Sequence, residues 1–191
     1  MSHLVRTVRT IDWNVRKDTE VTTAVHDIRT PRHRQHSGNS GRALHLIDIE
    51  NLCVNESRAA ISPGIGDLYR RTVRPGPLDQ FIVASDVTRS LDAHREFPGA
   101  RILLGRGKDG AELALTADLD LDRIRRSFST LVIASGDGYF TDLARQMKHH
   151  CLSLIIVSRP DRLAQSLDRL SDTVVVLPPD AHPGDGFTMA S

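Results

Sequence analysis

Short apolar segments recur along the chain from residue 43 onward, and turn-forming or polar residues bound each of them. They do not alternate cleanly between apolar and polar positions, which is typical of strands covered on both faces of a sheet. The predicted strands are residues 43–49, 80–85, 101–104, 130–134, 152–157 and 173–177. Segments with helical spacing lie between them, at residues 63–73, 88–96, 111–126, 139–149 and 162–170.

Strands and helices therefore alternate along the chain, and this order favours one architecture. Because parallel neighbours need a long crossover, usually a helix, the alternation predicts a mostly parallel sheet with helices on both faces. We expect an α/β fold, a three-layer α/β/α, Rossmann-like sandwich that spans residues 43–177. The length of 191 residues suits one such domain with tails.

The two ends of the chain lack this pattern. Residues 1–42 carry eight basic and four acidic side chains and end in a polar stretch with Gly and Ser, which predicts a basic, weakly structured arm. A short strand around residues 21–28 remains open. His33 and His36 are more consistent with a solvated tail than with a metal site, which needs about four ligands. Residues 178–191 are expected to form a loose tail.

The cysteine content and the length of the apolar runs exclude several classes of protein. Two cysteines cannot form a disulfide framework or a four-cysteine zinc site, and we expect both to be reduced thiols. The apolar run at residues 152–157 is far shorter than the roughly 20 residues of a membrane span. The first residues show no apolar core of a signal peptide, so the expected compartment is the cytoplasm, with no membrane partner.

Acidic residues stand where predicted strands end. Asp48, Asp86 and Asp137 each follow a strand, and Glu112 lies near the start of the helix after the third strand. In open parallel sheets, ligands bind outside the carboxyl ends of the strands, so these carboxylates are expected to share one edge. Asp118 is six residues beyond Glu112, an offset of roughly 120° around a helix, which predicts a supporting position.

A single aspartate after a strand usually caps the next helix. That explanation weakens for several carboxylates at one edge, because like charges repel each other strongly in a partly dry cleft. A shared cation removes the repulsion, and carboxylates without nearby His or Cys favour Mg²⁺ or Mn²⁺ over zinc. We therefore predict a divalent-metal site formed by Asp48, Glu112 and Asp137, which would hydrolyse a phosphodiester through metal-bound water.

Three sequence blocks add a family resemblance. Residues 48–51 read Asp-Ile-Glu-Asn, a Gly-Lys loop at residues 107–108 leads into Glu112 and Asp118, and residues 135–140 read Ser-Gly-Asp-Gly-Tyr-Phe. In this order, the blocks resemble the NYN domain of the PIN-like nuclease superfamily, in the form of its small actinobacterial-type members. The likeness spans about residues 43–177.

The resemblance implies a PIN-like sheet and a divalent-metal ribonuclease whose partner is RNA. The residues that match the acidic, catalytic positions of the family are Asp48, Glu112, Asp118 and Asp137. Contacts with the substrate are expected from Asn51, Ser135, Lys108 and Arg159.

Two departures from the family pattern keep an alternative open. Tyr139 stands where many relatives carry a second Asp, and Glu112 replaces the commoner Asp. A non-catalytic RNA- or protein-binding module on the same fold therefore remains the alternative function. A homodimer that completes the binding groove also remains open.

The loop at residues 105–110 reads G-x-G-x-x-G, which is the dinucleotide-binding fingerprint. That fingerprint normally opens the first strand–helix turn, whereas this loop follows the third predicted strand. No acidic residue stands about 20 residues further on, as the fingerprint requires. Nucleotide binding is therefore a lesser alternative, since a tight turn explains the glycines without any ligand.

Overall fold

The computed structural model describes residues 7–9, 41–53, 63–117 and 119–178. In these ranges the strands are β1 (Thr7–Arg9), β2 (Ala43–Asp48), β3 (Gln80–Asp86), β4 (Arg101–Gly105), β5 (Thr130–Ala134), β6 (Ser153–Ser158) and β7 (Thr173–Val176). The helices are α1 (Ile49–Leu52), α2 (Ile65–Val73), α3 (Ser90–Glu96), α4 (Gly110–Thr116), α5 (Leu121–Ser127), α6 (Thr141–His149) and α7 (Gln165–Leu170). Single-turn 3₁₀ helices, Val87–Arg89 and Gly138–Phe140, precede α3 and α6.

All of these strands run parallel in one sheet, in the order β1-β7-β6-β5-β2-β3-β4. From β2 the chain adds β3 and β4 on one side and then crosses over to add β5, β6 and β7 on the other. The strand order therefore reverses between β2 and β5, which is where open sheets of this kind form a ligand-binding crevice. Asp48 pairs with Ala84, and Ile47 pairs with Ala134, so three strands end at the same level beside this crevice.

Helices cover both faces of the sheet. Leu44 and Leu46 of β2 pack in a core with residues of α4, α5, α6 and α7, whereas Ile47 packs in a second core with residues of α1, α2 and α3. This division follows from the two-residue period of a strand. All six residues of β2 are buried, as expected for a strand between two helical layers. The predicted three-layer α/β/α sandwich with a parallel sheet is confirmed.

The helix predicted for residues 111–126 is two helices, so that prediction is wrong. α4 ends at Thr116, and α5 begins after Asp120, whose Oδ1 accepts a hydrogen bond from the Arg123 N–H at 2.9 Å. An extended aspartate that caps the following turn starts a new helix. The apolar spacing on both sides of the break hid this boundary.

Two elements were not predicted. β1 belongs to the basic arm and pairs with β7, with Val8 opposite Val174. α1 is a single turn directly after β2. The strand considered around residues 21–28 lies outside the described residues, as do His33 and His36. In the described part of the chain, the longest helices fall well short of an apolar, membrane-crossing segment.

A buried polar cluster fixes the amino end of β2. The Nδ1 atom of His45 lies 2.7 Å from Tyr69 Oη, and its Nε2 atom lies 3.2 Å from Asp79 Oδ2. Asp79 also accepts a hydrogen bond from the Ala43 N–H at 2.7 Å. The His45 ring stacks on Phe81 with ring centroids 4.6 Å apart. Through these contacts, the buried polar atoms at the amino end of β2 have hydrogen-bond partners, as buried polar groups require.

Candidate acidic site at the reversal of strand order

Asp48 is the last residue of β2 and lies where the strand order reverses. Its side chain is only 2% exposed, and Oδ1 accepts a hydrogen bond from the Asn51 N–H at 3.2 Å, which caps α1. Oδ2 accepts a hydrogen bond from the Ser135 hydroxyl at 3.2 Å. Asp48 therefore caps a helix and also turns its carboxylate toward the end of β5.

A further hydrogen bond joins α1 to the loop after β5, and another lies within that loop. Asn51 Oδ1 accepts a hydrogen bond from the Gly136 N–H at 2.9 Å, and Ser135 Oγ accepts one from the Asp137 N–H at 3.2 Å. Gly136 has no room for a side chain, because a Cβ there would lie 2.1 Å from a backbone carbonyl oxygen. The first and third sequence blocks are therefore in direct contact.

Glu112 brings another carboxylate to this edge from the first turn of α4. Burial is the main cause that raises the pKa of Asp48 to about 7, and the negative charge of Glu112 adds to it. Burial also raises the pKa of Glu112, and the charges of Asp137, Asp109 and Glu50 raise it further. Each carboxylate thus opposes the ionisation of its neighbours, as acids that share a cleft do.

Asp137 follows β5 and is exposed at the same edge. Its Oδ1 accepts a hydrogen bond from the Tyr139 N–H at 2.8 Å and so caps the 3₁₀ turn. Its charge still raises the pKa of Glu112, which places Asp137 in the same electrostatic cluster. Asp118 lies outside the described residues. Because α4 ends at Thr116, the helical offset of roughly 120° predicted for Asp118 does not apply.

Glu50 belongs to this edge as well, although it is not among the predicted site residues. Its Oε1 accepts a hydrogen bond from the Asp86 N–H at 3.0 Å and lies 3.7 Å from Arg89 Nη1. Its charge contributes to the raised pKa of Asp48. The sequence feature that points to Glu50 is its position inside the Asp-Ile-Glu-Asn turn. Asp86 has a structural role, because its Oδ1 accepts hydrogen bonds from the hydroxyl and the N–H of Thr88, which lower the pKa of Asp86.

The chemistry of these donors fits Mg²⁺ or Mn²⁺. Carboxylate oxygens of Asp48, Glu112 and Asp137 share the edge with the Asn51 amide and the Ser135 hydroxyl, and hard cations prefer such oxygen ligands. Among the described residues, however, no three His, Cys, Asp or Glu side chains stand close enough together to hold one ion. Binding of one ion by all three carboxylates would therefore require at least one of them to move, whereas one or two carboxylates with water ligands can also hold Mg²⁺.

The glycine-rich loop after β4 serves the packing of α4. A Cβ on Gly105 would lie 2.2 Å from the backbone carbon of Gly110, so the first and last glycines of the motif pack against each other. Gly107 and Asp109 have positive φ angles of 74° and 57°, which Gly and Asp tolerate better than most residues. Lys108 is exposed between them. β4 is an edge strand, so this loop does not lie at the reversal point, where dinucleotides bind.

Arg159, a predicted substrate contact, is used inside the fold. It follows β6 and is 1% exposed. Its Nε donates to the Leu52 carbonyl oxygen at 2.7 Å, and its Nη1 donates to the Pro178 carbonyl oxygen. The guanidinium thus connects the end of α1 to the segment after β7. Its position contradicts the prediction that Arg159 contacts RNA phosphates.

Comparison with known proteins supports the fold but does not indicate a function for the site. No protein-family profile matches the chain, and no curated protein matches it. Among solved structures, the chain is similar to a protein of unknown function from Vibrio parahaemolyticus RIMD 2210633, with 14% sequence identity and a TM-score of 0.52. The similarity covers 75% of this chain and 96% of that chain. A likeness at this identity shows a shared α/β fold alone.

Proposed function

We propose that this chain is a divalent-metal-dependent ribonuclease of the NYN type that hydrolyses phosphodiester bonds of RNA. The observation that carries the proposal is the mutual repulsion of carboxylates at the reversal of strand order. There the pKa of the buried Asp48 is about 7, and Glu112 has a raised pKa partly because of Asp137. Perturbed acids in a crevice of this kind are candidates for chemistry, and a cation would relieve their repulsion.

In this proposal Asp48, Glu112 and Asp137 hold Mg²⁺ or Mn²⁺, with Asp118 in a supporting role. When bound, the metal supplies a Lewis acid that lowers the pKa of a water ligand and neutralises charge on the leaving oxygen. The carboxylates must lose their protons to bind it. The pKa of Asp48, at about 7, therefore makes metal binding compete with protonation near neutral pH.

Asn51 and Ser135 position the acids in this proposal. Asn51 accepts a hydrogen bond from the Gly136 N–H, and Ser135 donates one to Asp48. These two bonds hold the end of β2 and the turn after it at a set distance from the loop that carries Asp137. Lys108 is exposed on the neighbouring loop and supplies a positive charge for an RNA phosphate. The compartment proposed for this activity is the cytoplasm. A homodimer that completes the groove stays a prediction.

A non-catalytic RNA- or protein-binding module is the second candidate, and three observations favour it. The described acids do not form a three-ligand group, and one oxygen of Asp137 is already engaged in capping the 3₁₀ turn. Tyr139 also adds no carboxylate to the site. Nucleotide binding ranks lower, because the G-x-G-x-x-G loop follows the edge strand β4.

Cleavage assays separate these functions. Labelled single-stranded and structured RNAs are incubated with the full chain in millimolar Mn²⁺, in Mg²⁺ and in EDTA. We expect cleavage with either metal, none in EDTA, and a loss of about 100-fold or more in Asp137→Asn, similar to losses from removing other charge-stabilising groups. Asp67→Asn is the matched control, since Asp67 is exposed on α2 and paired with Arg70.

Three other outcomes would contradict the ribonuclease proposal. Cleavage that persists both in EDTA and in Asp137→Asn rejects the metal mechanism. Tight RNA binding without turnover in millimolar Mn²⁺ selects the non-catalytic module instead. If NAD-type ligands raise the melting temperature and RNA has no effect, the nucleotide-binding alternative is correct.

A further inference from the structure

Tyr139 is an exposed aromatic side chain directly beside the candidate acidic site. It is 41% exposed, on the 3₁₀ turn that follows Asp137. The other aromatic residues of the described part of the chain are buried or half-buried, namely Tyr69, Phe81, Phe97, Phe128 and Phe140. Packing of the core therefore explains the positions of those rings but not the position of Tyr139.

Contacts of its backbone N–H and of its hydroxyl connect Tyr139 to the turn after β5 and to α4. Its N–H donates to Asp137 Oδ1 at 2.8 Å, while its Oη lies 3.5 Å from Thr116 Oγ1. Thr116 Oγ1 in turn donates to the carbonyl oxygen of Glu112 at 2.9 Å. The ring thus extends from the turn that carries Asp137 to the helix that carries Glu112.

At least one face of this ring has no other aromatic ring against it, counting the described residues. The one ring contact found for Tyr139 within the described ranges is with Phe140, at 5.7 Å and an interplanar angle of 78°, which is an edge contact. An edge contact does not cover the ring as a parallel stack would.

We propose that Tyr139 is a substrate-positioning residue that stacks an unpaired nucleobase and thereby selects single-stranded RNA. The inference rests on the proposed function, in that it takes RNA as the ligand of the acidic edge. A phosphate beside Asp137 brings its own nucleoside next to Tyr139, which is only two residues further along the chain. A base in a duplex is already stacked and paired, whereas an unpaired base has a free face for an aromatic side chain.

The test measures RNA binding by the full chain with Ca²⁺ in place of Mn²⁺, so that the carboxylates keep a cation, and a gel checks that the RNA stays intact. The probes are a fluorescein-labelled single-stranded 12-nucleotide RNA, the duplex of the same sequence, and a single strand that contains 2-aminopurine. Because stacking on one aromatic ring contributes substantially per base, we expect Tyr139→Leu to weaken single-strand binding by about 5- to 150-fold. Tyr139→Phe keeps the aromatic face and is expected to bind within about twofold of the unaltered protein.

Two further readouts separate stacking from a structural effect. The unaltered protein and Tyr139→Phe are expected to quench 2-aminopurine fluorescence, and Tyr139→Leu is not. Duplex binding should be the same in all three proteins. Leu78→Ala is the matched control, because Leu78 is also an exposed apolar residue, 63% exposed, and lies before the amino end of β3 at the opposite edge of the sheet. Melting curves check that every variant is folded.

The inference is overturned if Tyr139→Leu binds the single strand as tightly as the unaltered protein does. It is also overturned if duplex binding weakens equally, or if the unaltered protein binds no single-stranded RNA. The ribonuclease proposal fails separately, when single-stranded RNA is bound through Tyr139 but is not cut in Mn²⁺. Conversely, cleavage in Mn²⁺ with an unchanged KM in Tyr139→Leu supports the ribonuclease and rejects the stacking role.

Discussion

The hydroxyl of Ser135 lies 3.2 Å from Asp48 Oδ2, and this contact joins the ends of two adjacent strands whose residues are 87 positions apart in sequence. Through this hydrogen bond, Ser135 contacts the buried carboxylate of Asp48. The hydrogen bonds from Ser135 and the Asn51 N–H lower the pKa of Asp48, but burial and the charge of Glu112 raise it more, to about 7. The folded protein therefore bears a cost for ionising Asp48, and sites kept for function commonly carry such a cost.

Replacement of Asp48 by Asn is expected to stabilise the metal-free protein at pH 8. The pKa of Asp48 is raised from 3.8 to about 7 on folding, so between these values the folded state holds a proton that the unfolded state has lost. The free energy of unfolding therefore falls as pH rises through this window, by about 1.4 kcal/mol per pH unit. Asp48→Asn has no titrating group at this position, so its stability does not fall in this way. Its free energy of unfolding, relative to that of the unaltered protein, is therefore expected to be about 2–4 kcal/mol higher at pH 8 than at pH 4.

Denaturant unfolding of both proteins in EDTA at pH 4, 6 and 8 measures this difference. Asp67→Asn serves as the control, since an exposed aspartate in an i,i+3 pair should show no such pH-dependent gain. If Asp48→Asn is less stable than the unaltered protein by the same amount at each pH, Asp48 is not held at a raised pKa.

Mn²⁺ is expected to raise the melting temperature, and to do so more at pH 8 than at pH 5. At pH 5 a proton occupies Asp48, whose pKa is about 7, and must leave before a cation binds. An ion at 100 times its dissociation constant stabilises a folded protein by about 2.7 kcal/mol, which corresponds to roughly 5–10 °C for a chain of this size.

A thermal scan with and without Mn²⁺ at the two pH values is the measurement. The shift should disappear in Asp48→Asn and persist in Asp67→Asn. Equal shifts in all three proteins would show that the ion binds elsewhere, and the predicted metal site would then be incorrect.

Much of the fold was predictable because each core strand is a short apolar run with a turn signal after it. The same signal placed Asp48 and Asp137 at one edge, since parallel strands must end together. The helix boundary at Asp120 was missed because the apolar spacing continues on both sides of it, and only the capping bond shows the break. In this chain the apolar pattern places the end of each core strand within one residue of its observed position, but it merges α4 and α5 into one helix.

The errors at the candidate site concern residues whose roles depend on contacts distant in sequence. Arg159 follows a strand, which is why it was predicted to contact RNA, yet its Nε donates to the Leu52 carbonyl oxygen, 107 positions away. Glu50 was not predicted as a site residue, because it contacts Asp86 and Arg89, which lie at the end of another strand. Neither partner set is encoded in the local sequence, so only tertiary structure reveals these roles.

Replacement of Asn51 by Ala is expected to destabilise the protein by about 1–3 kcal/mol, because the buried Gly136 N–H then loses its acceptor. The hydrogen bond of 2.9 Å to Asn51 Oδ1 also sets the position of the Asp137 loop. We therefore expect metal-dependent RNA cleavage to fall as well. Urea unfolding and the cleavage assay measure the two effects.

The control for Asn51→Ala is Gln146→Ala, which removes an exposed amide from α6. Its unfolding free energy should change by less than about 0.5 kcal/mol. If Asn51→Ala is equally mild, the contact between the first and third sequence blocks contributes nothing to the fold.

Acid is expected to destabilise the protein through His45, at the opposite end of β2 from Asp48. Burial lowers the pKa of His45 below 6.5, against the raising effect of Asp79. As pH falls below 6.5 the unfolded chain takes up a proton that the folded chain does not, so the free energy of unfolding decreases with falling pH. The decrease amounts to about 1.4 kcal/mol for each unit by which the pKa is lowered.

The unfolding free energies of the unaltered protein and His45→Gln at pH 7.5 and pH 5 test this expectation. His45→Gln has no titrating ring, so the unaltered protein should lose stability relative to it on acidification. Asp79 does not obscure the result, because its pKa is lowered and its contribution is lost only below 3.8. Asp48 acts in the opposite direction over this range, but its effect is common to both proteins and cancels. An unchanged difference between the two proteins would mean that His45 is not buried in its neutral form.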